Sequence, residues 1–366
     1  MDGAGSGKDQ RIEEIRRSID EIDEKILDLL NERMGLAKDI GALKAESGTM
    51  VLDKTREEKI LRRLESLNRG PAKAPAIRRI FSEIIAACRK IQEPRNVAYL
   101  GPEATFTHVA AIRFFTPNDQ LVPTSSIRDV FESVEKERCD YGVVPVENSI
   151  EGAVNHTLDL FLESGLKVCA EIYMAISHDL LSKSGDISKI RKIYSHPQPF
   201  AQCRTWLKSN LPDARLVECS STAQAAQKAL LEDDAAAIAG SEAARIYELK
   251  VVEHSVQDFA KNTTRFLVVG HDKVPPTGDD KTSIMFVTAH VPGALFRVLE
   301  PIAREGINML KLESRPTKHE NWSYVFFVDL EGHADDAAVK RCLSEMKGHC
   351  QFLKVLGSYP MARMIY

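Results

Sequence analysis

Three styles of hydrophobic patterning follow one another along this chain. Between residues 11 and 91, Ile12, Ile15, Ile19, Ile22, Ile26, Leu29, Leu36, Ile40 and Leu43 recur at alternating steps of three and four, a heptad-like seam. The pattern predicts one helix of roughly 35 residues, about 50 Å long at ~1.5 Å per residue. A helix of that length cannot bury its seam alone, and the simplest partner is a second copy of the chain. Gly48 ends it. A second amphipathic helix follows over 53–68, Gly70-Pro71 breaks the chain, and a third runs from about 75 to 92, closed by Pro94.

From residue 97 the pattern switches to short apolar runs alternating with amphipathic stretches. Strands are expected at 97–100, 141–146, 191–195, 214–219, 235–239 and 265–269. Helices are expected at 107–115, 127–137, 152–162, 199–209 and 223–232. This order predicts an α/β fold with a largely parallel sheet. After the linker-like Val274-Pro-Pro-Thr-Gly-Asp-Asp280, the order β-α-β-β-α-β over 282–359 is the ferredoxin-like α+β arrangement, read as a small separate domain. The domains expected are thus 11–95, 96–273 and 282–366, with a disordered Gly/Ser-rich leader at 1–10 and a linker at 274–281.

Composition narrows the classes. With 49 Lys+Arg against 53 Asp+Glu, nothing supplies the basic excess that bulk nucleic-acid binding needs. No run approaches the ~20 apolar residues that cross a bilayer, and the first residues carry no apolar signal region, so a cytoplasmic protein without membrane partners is expected. The 7 dispersed cysteines lack a CxxC pair, and the 10 histidines lack HxH or HExxH spacing. Neither a disulfide framework nor a metal site is expected.

Candidate chemistry starts on the seam. Counting heptads through 12, 19, 26, 33 and 40 puts Arg33 where an apolar residue belongs. A guanidinium there is costly unless an anion meets it. Lys44, eleven residues on, lies about 20° around the helix, whereas Arg16 lies about 100° away and would serve a different pocket, made mainly by the partner helix. The anion is either a protein carboxylate across a subunit interface or a ligand. With Asp53, Arg56, Glu57 and Gln92, these residues resemble the pocket of the helical chorismate mutase family, whose members are intertwined all-α dimers. The resemblance implies that Arg16, Arg33, Lys44, Asp53, Arg56, Glu57, Cys88 and Gln92 bind chorismate. Arg16 would come from the other subunit, and Lys44 and Gln92 would face the ether oxygen. A [3,3] rearrangement needs only a folded substrate and stabilised charge, and no cofactor. Cys88 stands where a Ser is common, and a thiol is the weaker donor.

In the α/β segment, polar motifs sit at strand ends: Gly101-Pro-Glu-Ala-Thr-Phe-Thr107, Pro145-Val-Glu-Asn-Ser149, Ser195-His-Pro-Gln198, Ser220-Ser-Thr222 and Asn262-Thr-Thr-Arg-Phe266. Singly, such residues are helix caps or turns. Together they describe a cleft of neutral donors and helix N-termini suited to a small carboxylate. They resemble the prephenate dehydratase family, which implies two subdomains with a periplasmic-binding-protein-like outline. Thr264 would assist the leaving hydroxyl. Asn148, Ser149, Ser195, Gln198, Ser221 and Thr222 would orient prephenate, and Thr105 and Thr107 would take a carboxylate. Arg265 either pairs with a substrate carboxylate or forms a structural salt bridge to Glu147. His196 reads as structural. The family usually has Gly at Ala104, so a positive φ there would require a shifted loop.

In the last segment, Gly293-Ala294-Leu295 opens a helix and Glu313-Ser314-Arg315-Pro316 ends a strand. They resemble the ACT domains that sense L-phenylalanine at a dimer interface contacted by both motifs. Taken together, the resemblances imply the bifunctional chorismate mutase–prephenate dehydratase family: chorismate to prephenate to phenylpyruvate, with L-phenylalanine as effector, in a homodimer or higher oligomer. Two alternatives stay open, an arogenate dehydratase and a non-catalytic ligand sensor.

Overall fold

The computed structural model describes residues 4–47, 54–90, 95–117, 119–259, 261–316 and 324–362. The chain divides into two compact units, one of helices up to residue 94 and one running from Arg95 onward.

The first unit holds α1 (Ala4–Ser47), α2 (Lys54–Leu67) and α3 (Ala74–Lys90). Helix α1 starts at Ala4, so residues 4–10, taken from composition as a disordered leader, are helical. Leu61, Ile85 and Cys88 are buried, and Arg78 of α3 pairs with Glu58 and Glu65 of α2. The seam of α1 behaves otherwise: Ile15, Ile19, Ile22, Ile26, Leu29, Leu36 and Ile40 are all at least 40% exposed. Within one chain the seam therefore remains uncovered, although burying each such side chain is worth about 1.5–3 kcal/mol.

The second unit contains three sheets. Strand β1 (Asn96–Leu100) pairs in parallel with β2 (Gln120–Thr124) and β3 (Tyr141–Asn148), through the crossover helices α4 (Phe106–Phe114) and α5 (Ile127–Glu135). Short β4 (Gly152–Ala153) and α6 (Asn155–Glu163) lead to β5 (Lys167–Ala175). The chain then builds a second sheet from β6 (Asp179–Ser182), β7 (Lys192–Ser195), α7 (Pro197–Gln202), α8 (Arg204–Asn210), β8 (Arg215–Glu218), α9 (Thr222–Leu231), β9 (Ala235–Ala239), α10 (Ser241–Ile246) and β10 (Lys250–Glu253). It returns as β11 (Thr263–Gly270), inserted between β3 and β5 and antiparallel to both. The strand orders are β2-β1-β3-β11-β5 and β10-β6-β9-β7-β8. Two subdomains are present as expected, and each sheet is largely parallel but mixed: β11 with short β4 opposes the other strands of the first sheet, and β6 opposes those of the second. Each is crossed by strands of both directions because the chain passes between subdomains twice.

The third sheet is antiparallel, ordered β13-β14-β12-β15, from β12 (Asp280–Val287), β13 (Met309–Pro316), β14 (Tyr324–Glu331) and β15 (Phe352–Pro360). Helices α11 (Ala294–Arg304) and α12 (Ala337–His349) cover one face. The other face is not free, so this is not a separately packed domain. Met285, Val325, Phe327, Leu356 and Tyr359 share one core with Val144, Val146, Leu160 and Leu267. Gly357 of β15 lies so close to β5 that a Cβ there would stand 2.2 Å from the Val168 carbonyl oxygen. All seven cysteines are free thiols. Among the described residues, no helix is long and apolar enough to cross a membrane.

Candidate functional site

Between the two mixed sheets of the second unit lies a cleft of about 330 Å³, within the range of small-ligand pockets. Seven expected residues line it: Thr105, Thr107, Asn148, Gln198, Ser221, Thr222 and Thr264. Among the described residues, no Lys or Arg lines it. Several hydroxyls keep the duties that local structure gives them. Thr105 caps α4 by accepting from the His108 N–H, and Ser221 caps α9 by accepting from the Gln224 N–H. His196 caps α7 in the same way.

A buried amide network fixes the reactive corner. Asn148 Nδ2 donates to Thr264 Oγ1 at 2.9 Å and to Asn262 Oδ1 at 2.7 Å. Asn148 Oδ1 accepts from the backbone N–H groups of Ile150 and Glu151, which sets the orientation of its amide. Asn262 Nδ2 in turn donates to Gln202 Oε1, and Gln202 Nε2 donates to Glu151. Since Gln202 Oε1 also meets His178 Nε2 at 2.9 Å, the imidazole proton sits on Nε2 and Nδ1 is left unpartnered. Burial holds His178 below the usual histidine value, so it is neutral at pH 7.

His178, Gln202 and Asn262 were not foreseen as site residues. Asn262 opens the Asn262–Phe266 motif, so the sequence carries a signal for it. His178 and Gln202 carry no motif, and only folding brings them to the cleft.

Three expected ligands are placed elsewhere. Ser195 is fully buried and donates to the Ile238 carbonyl, bracing β7 against β9. Ser149 is exposed and accepts from the Thr263 N–H, tying β3 to β11. Arg265 points away from the cleft. Its Nε donates to Glu171 Oε2 at 2.9 Å, its Nη1 to Asp329 Oδ2 at 2.5 Å and its Nη2 to the Tyr359 hydroxyl at 2.9 Å. The expected alternative partner, Glu147, instead lies 2.7 Å from the Lys311 ammonium, an ion contact without hydrogen-bond alignment. The reason is strand alternation: neighbours on β11 face opposite ways, so placing Thr264 in the cleft turns Arg265 to the far side. Ala104 adopts φ +67°, so the loop keeps the glycine-type conformation rather than shifting. The strain of about 1 kcal/mol is largely offset by burying a methyl, worth about 0.8 kcal/mol.

On the third sheet, Gly293, Ala294 and Leu295 line a groove of about 470 Å³ with Val291, Tyr324 and Phe326. Gly293 is at φ +75°, a conformation that suits glycine. Glu313, Ser314, Arg315 and Pro316 do not line this groove within the chain. They lie on edge strand β13, and Arg315 Nη1 is paired with Asp159 at 2.5 Å.

In the helical unit, Arg33 is half-buried, as are Leu30, Met34 and Ala37 near it, and its Nη1 lies 2.6 Å from the Sγ of buried Cys88. Arg16 is exposed and pairs with Glu13 one turn earlier. At ~1.5 Å per residue it stands about 25 Å from Arg33 along α1, too far for both to reach one ligand from a single chain. Arg56 and Glu57 open α2, exposed and half-buried respectively. Asp53, Gln92 and the Lys44 side chain lie outside the described residues.

Comparison with known proteins follows the same divisions. Residues 15–93 match the family chorismate mutase type II, 97–274 match prephenate dehydratase, and 282–348 match the ACT domain. A bifunctional chorismate mutase/prephenate dehydratase of Aquifex aeolicus (strain VF5) is 48% identical over 96% of this chain and 99% of its own. The structure of prephenate dehydratase in complex with L-Phe from Arthrobacter aurescens is 34% identical, with a TM-score of 0.67 over 73% of this chain and 90% of that one. A structure described as GqqA, a novel type of quorum quenching acylase, is 27% identical with a TM-score of 0.67, covering 74% of this chain and 98% of that one.

Proposed function

Because the chain belongs to the bifunctional chorismate mutase/prephenate dehydratase family, we propose that its helical unit rearranges chorismate and that the cleft at Thr264 converts the resulting prephenate. The chain is an enzyme with both activities, working in phenylalanine biosynthesis. The observation that carries the placement of the dehydratase site is the hydrogen bond from Asn148 to Thr264 inside a cleft that, among the described residues, no Lys or Arg lines.

That bond has a chemical consequence. Asn148 occupies a lone pair of the Thr264 oxygen, so the hydroxyl proton is left to be donated. Directed at the ring hydroxyl of prephenate, it stabilises the oxygen that departs. The electron pair of the breaking C–CO₂ bond completes the aromatic ring as the C–OH bond opens. Carbon dioxide leaves, the departing hydroxide takes the Thr264 proton and leaves as water, solvent returns a proton to the Thr264 oxygen, and aromatisation supplies the driving force. The walls formed by Phe106, Ile176 and Phe266 solvate a carboxylate poorly, which favours its loss as neutral CO₂. The N-termini of α4 and α9, with Thr107 and Thr222, would orient the carboxylate that is retained.

In the helical unit, Arg33 and Lys44 of one chain and Arg16 of its partner would hold the carboxylates and ether oxygen of chorismate, with Gln92 as a neutral donor. The exposed seam of α1 supports a homodimer. L-phenylalanine would occupy the groove at Gly293–Leu295, with the Glu313–Pro316 edge of a second chain closing it. A cytoplasmic location accords with the free thiols. The test is to supply prephenate alone: the wild-type chain should form phenylpyruvate, and a Thr264→Ala chain should not. Arogenate as the better substrate would shift the assignment to the aminated analogue.

A further inference from the structure

We infer that Arg265 is a positioning residue for the dehydration, through which the third sheet holds the catalytic strand in place. The inference rests on the reading of Thr264 given above. Arg265 does not touch the cleft. It is 5% exposed and lies on the face of β11 opposite Thr264 and Phe266.

Four buried charges meet there. Arg265 bonds to Glu171 and Asp329, and Lys281 bonds to Glu171 at 2.8 Å. Ser283 Oγ donates to Asp329 at 2.5 Å and contacts the Tyr359 hydroxyl at 2.6 Å. Burial works against charge on Arg265, but Tyr359, Asp329 and Glu171 around it hold its pKa well above the usual arginine value. Burial likewise pushes Asp329 up, and Arg265 and Ser283 outweigh it and hold the carboxyl below its usual value. Such a cluster contributes little net stability compared with apolar packing of the same volume. What it provides is direction. A guanidinium with three fixed partners sets the position of β11 to within hydrogen-bond tolerance.

Glu171 is on β5, which pairs with β11 in the same sheet, and the other partners come from the third sheet. Asp329 is on β14, Lys281 and Ser283 on β12, and Tyr359 on β15. Strand β14 carries the groove residues Tyr324 and Phe326 on one face and Asp329 on the other. A second tie repeats the logic on the neighbouring strand. Glu147 is the register partner of Arg265, stands next to Asn148, and meets Lys311 of β13. Both members of the Asn148–Thr264 pair thus have a chain neighbour tethered to the same sheet.

The test is steady-state kinetics of the full chain on prephenate for Asp329→Asn and Tyr359→Phe, beside Thr264→Ala, with mutase rate and thermal unfolding followed in parallel. Asp329→Asn is expected to lower dehydratase kcat about tenfold with KM changed less than about threefold, and Tyr359→Phe about two- to fivefold, at unchanged mutase rate. If Asp329→Asn does not fold, Tyr359→Phe decides alone. Wild-type kcat in the folded variants, or a rise in KM at constant kcat, overturns the inference. Thr264→Ala at wild-type rate would instead overturn the Thr264 reading. Loss in Thr264→Ala with the other two unaffected overturns the Arg265 inference alone.

Discussion

Asn148 and Thr264 are register partners on β3 and β11, and the Asn148 amide donates to the Thr264 hydroxyl at 2.9 Å. Removing the hydroxyl by Thr264→Ala should lower dehydratase kcat by about 10²-fold or more, the usual scale for losing a positioned proton donor. Thr264→Ser, which keeps the hydroxyl, should retain a larger share of kcat. Mutase turnover, measured in the same preparations, should not change.

The closeness of β15 to β5 gives a stability prediction. A Cβ on Gly357 would stand 2.2 Å from the Val168 carbonyl oxygen, and neither partner is a side chain that could swing away. Gly357→Ala should destabilise the chain by about 2 kcal/mol in urea unfolding, an ordinary overpacking cost. Gly165→Ala, where nothing lies within 4 Å, is the matched control and should be near neutral.

Stability should also depend on pH. Burial depresses the folded-state values of both His108 and His178 below 6.5, so the unfolded chain binds protons that the folded chain refuses. Unfolding free energy should therefore be steady above about pH 7 and fall as pH drops through 6.5 toward the folded-state values. His178→Gln should flatten that slope in denaturant titrations run from about pH 5 to 8. A slope of opposite sign would contradict the buried neutral imidazole.

Shared mutase sites can be tested by mixing chains. If Arg16 serves the partner's pocket, Arg16→Ala and Arg33→Ala dimers are each inactive. Mixed dimers, however, contain one pocket with both arginines. Random reassortment makes half the dimers mixed, with one good site in two, so activity should recover to about a quarter of wild type. No recovery would place both arginines in the same chain's pocket.

Much of this was legible in the chain. Strands β1, β3, β7, β9 and β11 are short apolar runs, and the last sheet shows its β-α-β-β-α-β order in hydrophobic spacing. Strand β5 escaped because Glu171 interrupts it, and that charge is tolerable only beside Arg265 and Lys281 from distant strands. Strand β2 carries Pro123 and sits at a sheet edge, where such a residue is admitted. The orientation of Arg265 was readable in principle, because alternation on β11 turns it away once Thr264 faces the cleft. Its partner was not. Lys281, Ser283, Lys311 and Asp329 form a polar face that, read locally, is a solvent face, and only tertiary packing turns it toward β11.

The most direct measurement gives the purified full-length chain chorismate alone and follows prephenate and phenylpyruvate together, with and without L-phenylalanine. Phenylpyruvate should form without any added cofactor, and L-phenylalanine should suppress it. In Thr264→Ala, prephenate should accumulate at an undiminished mutase rate. Accumulation of prephenate by the wild-type chain, with no phenylpyruvate formed, would contradict the account.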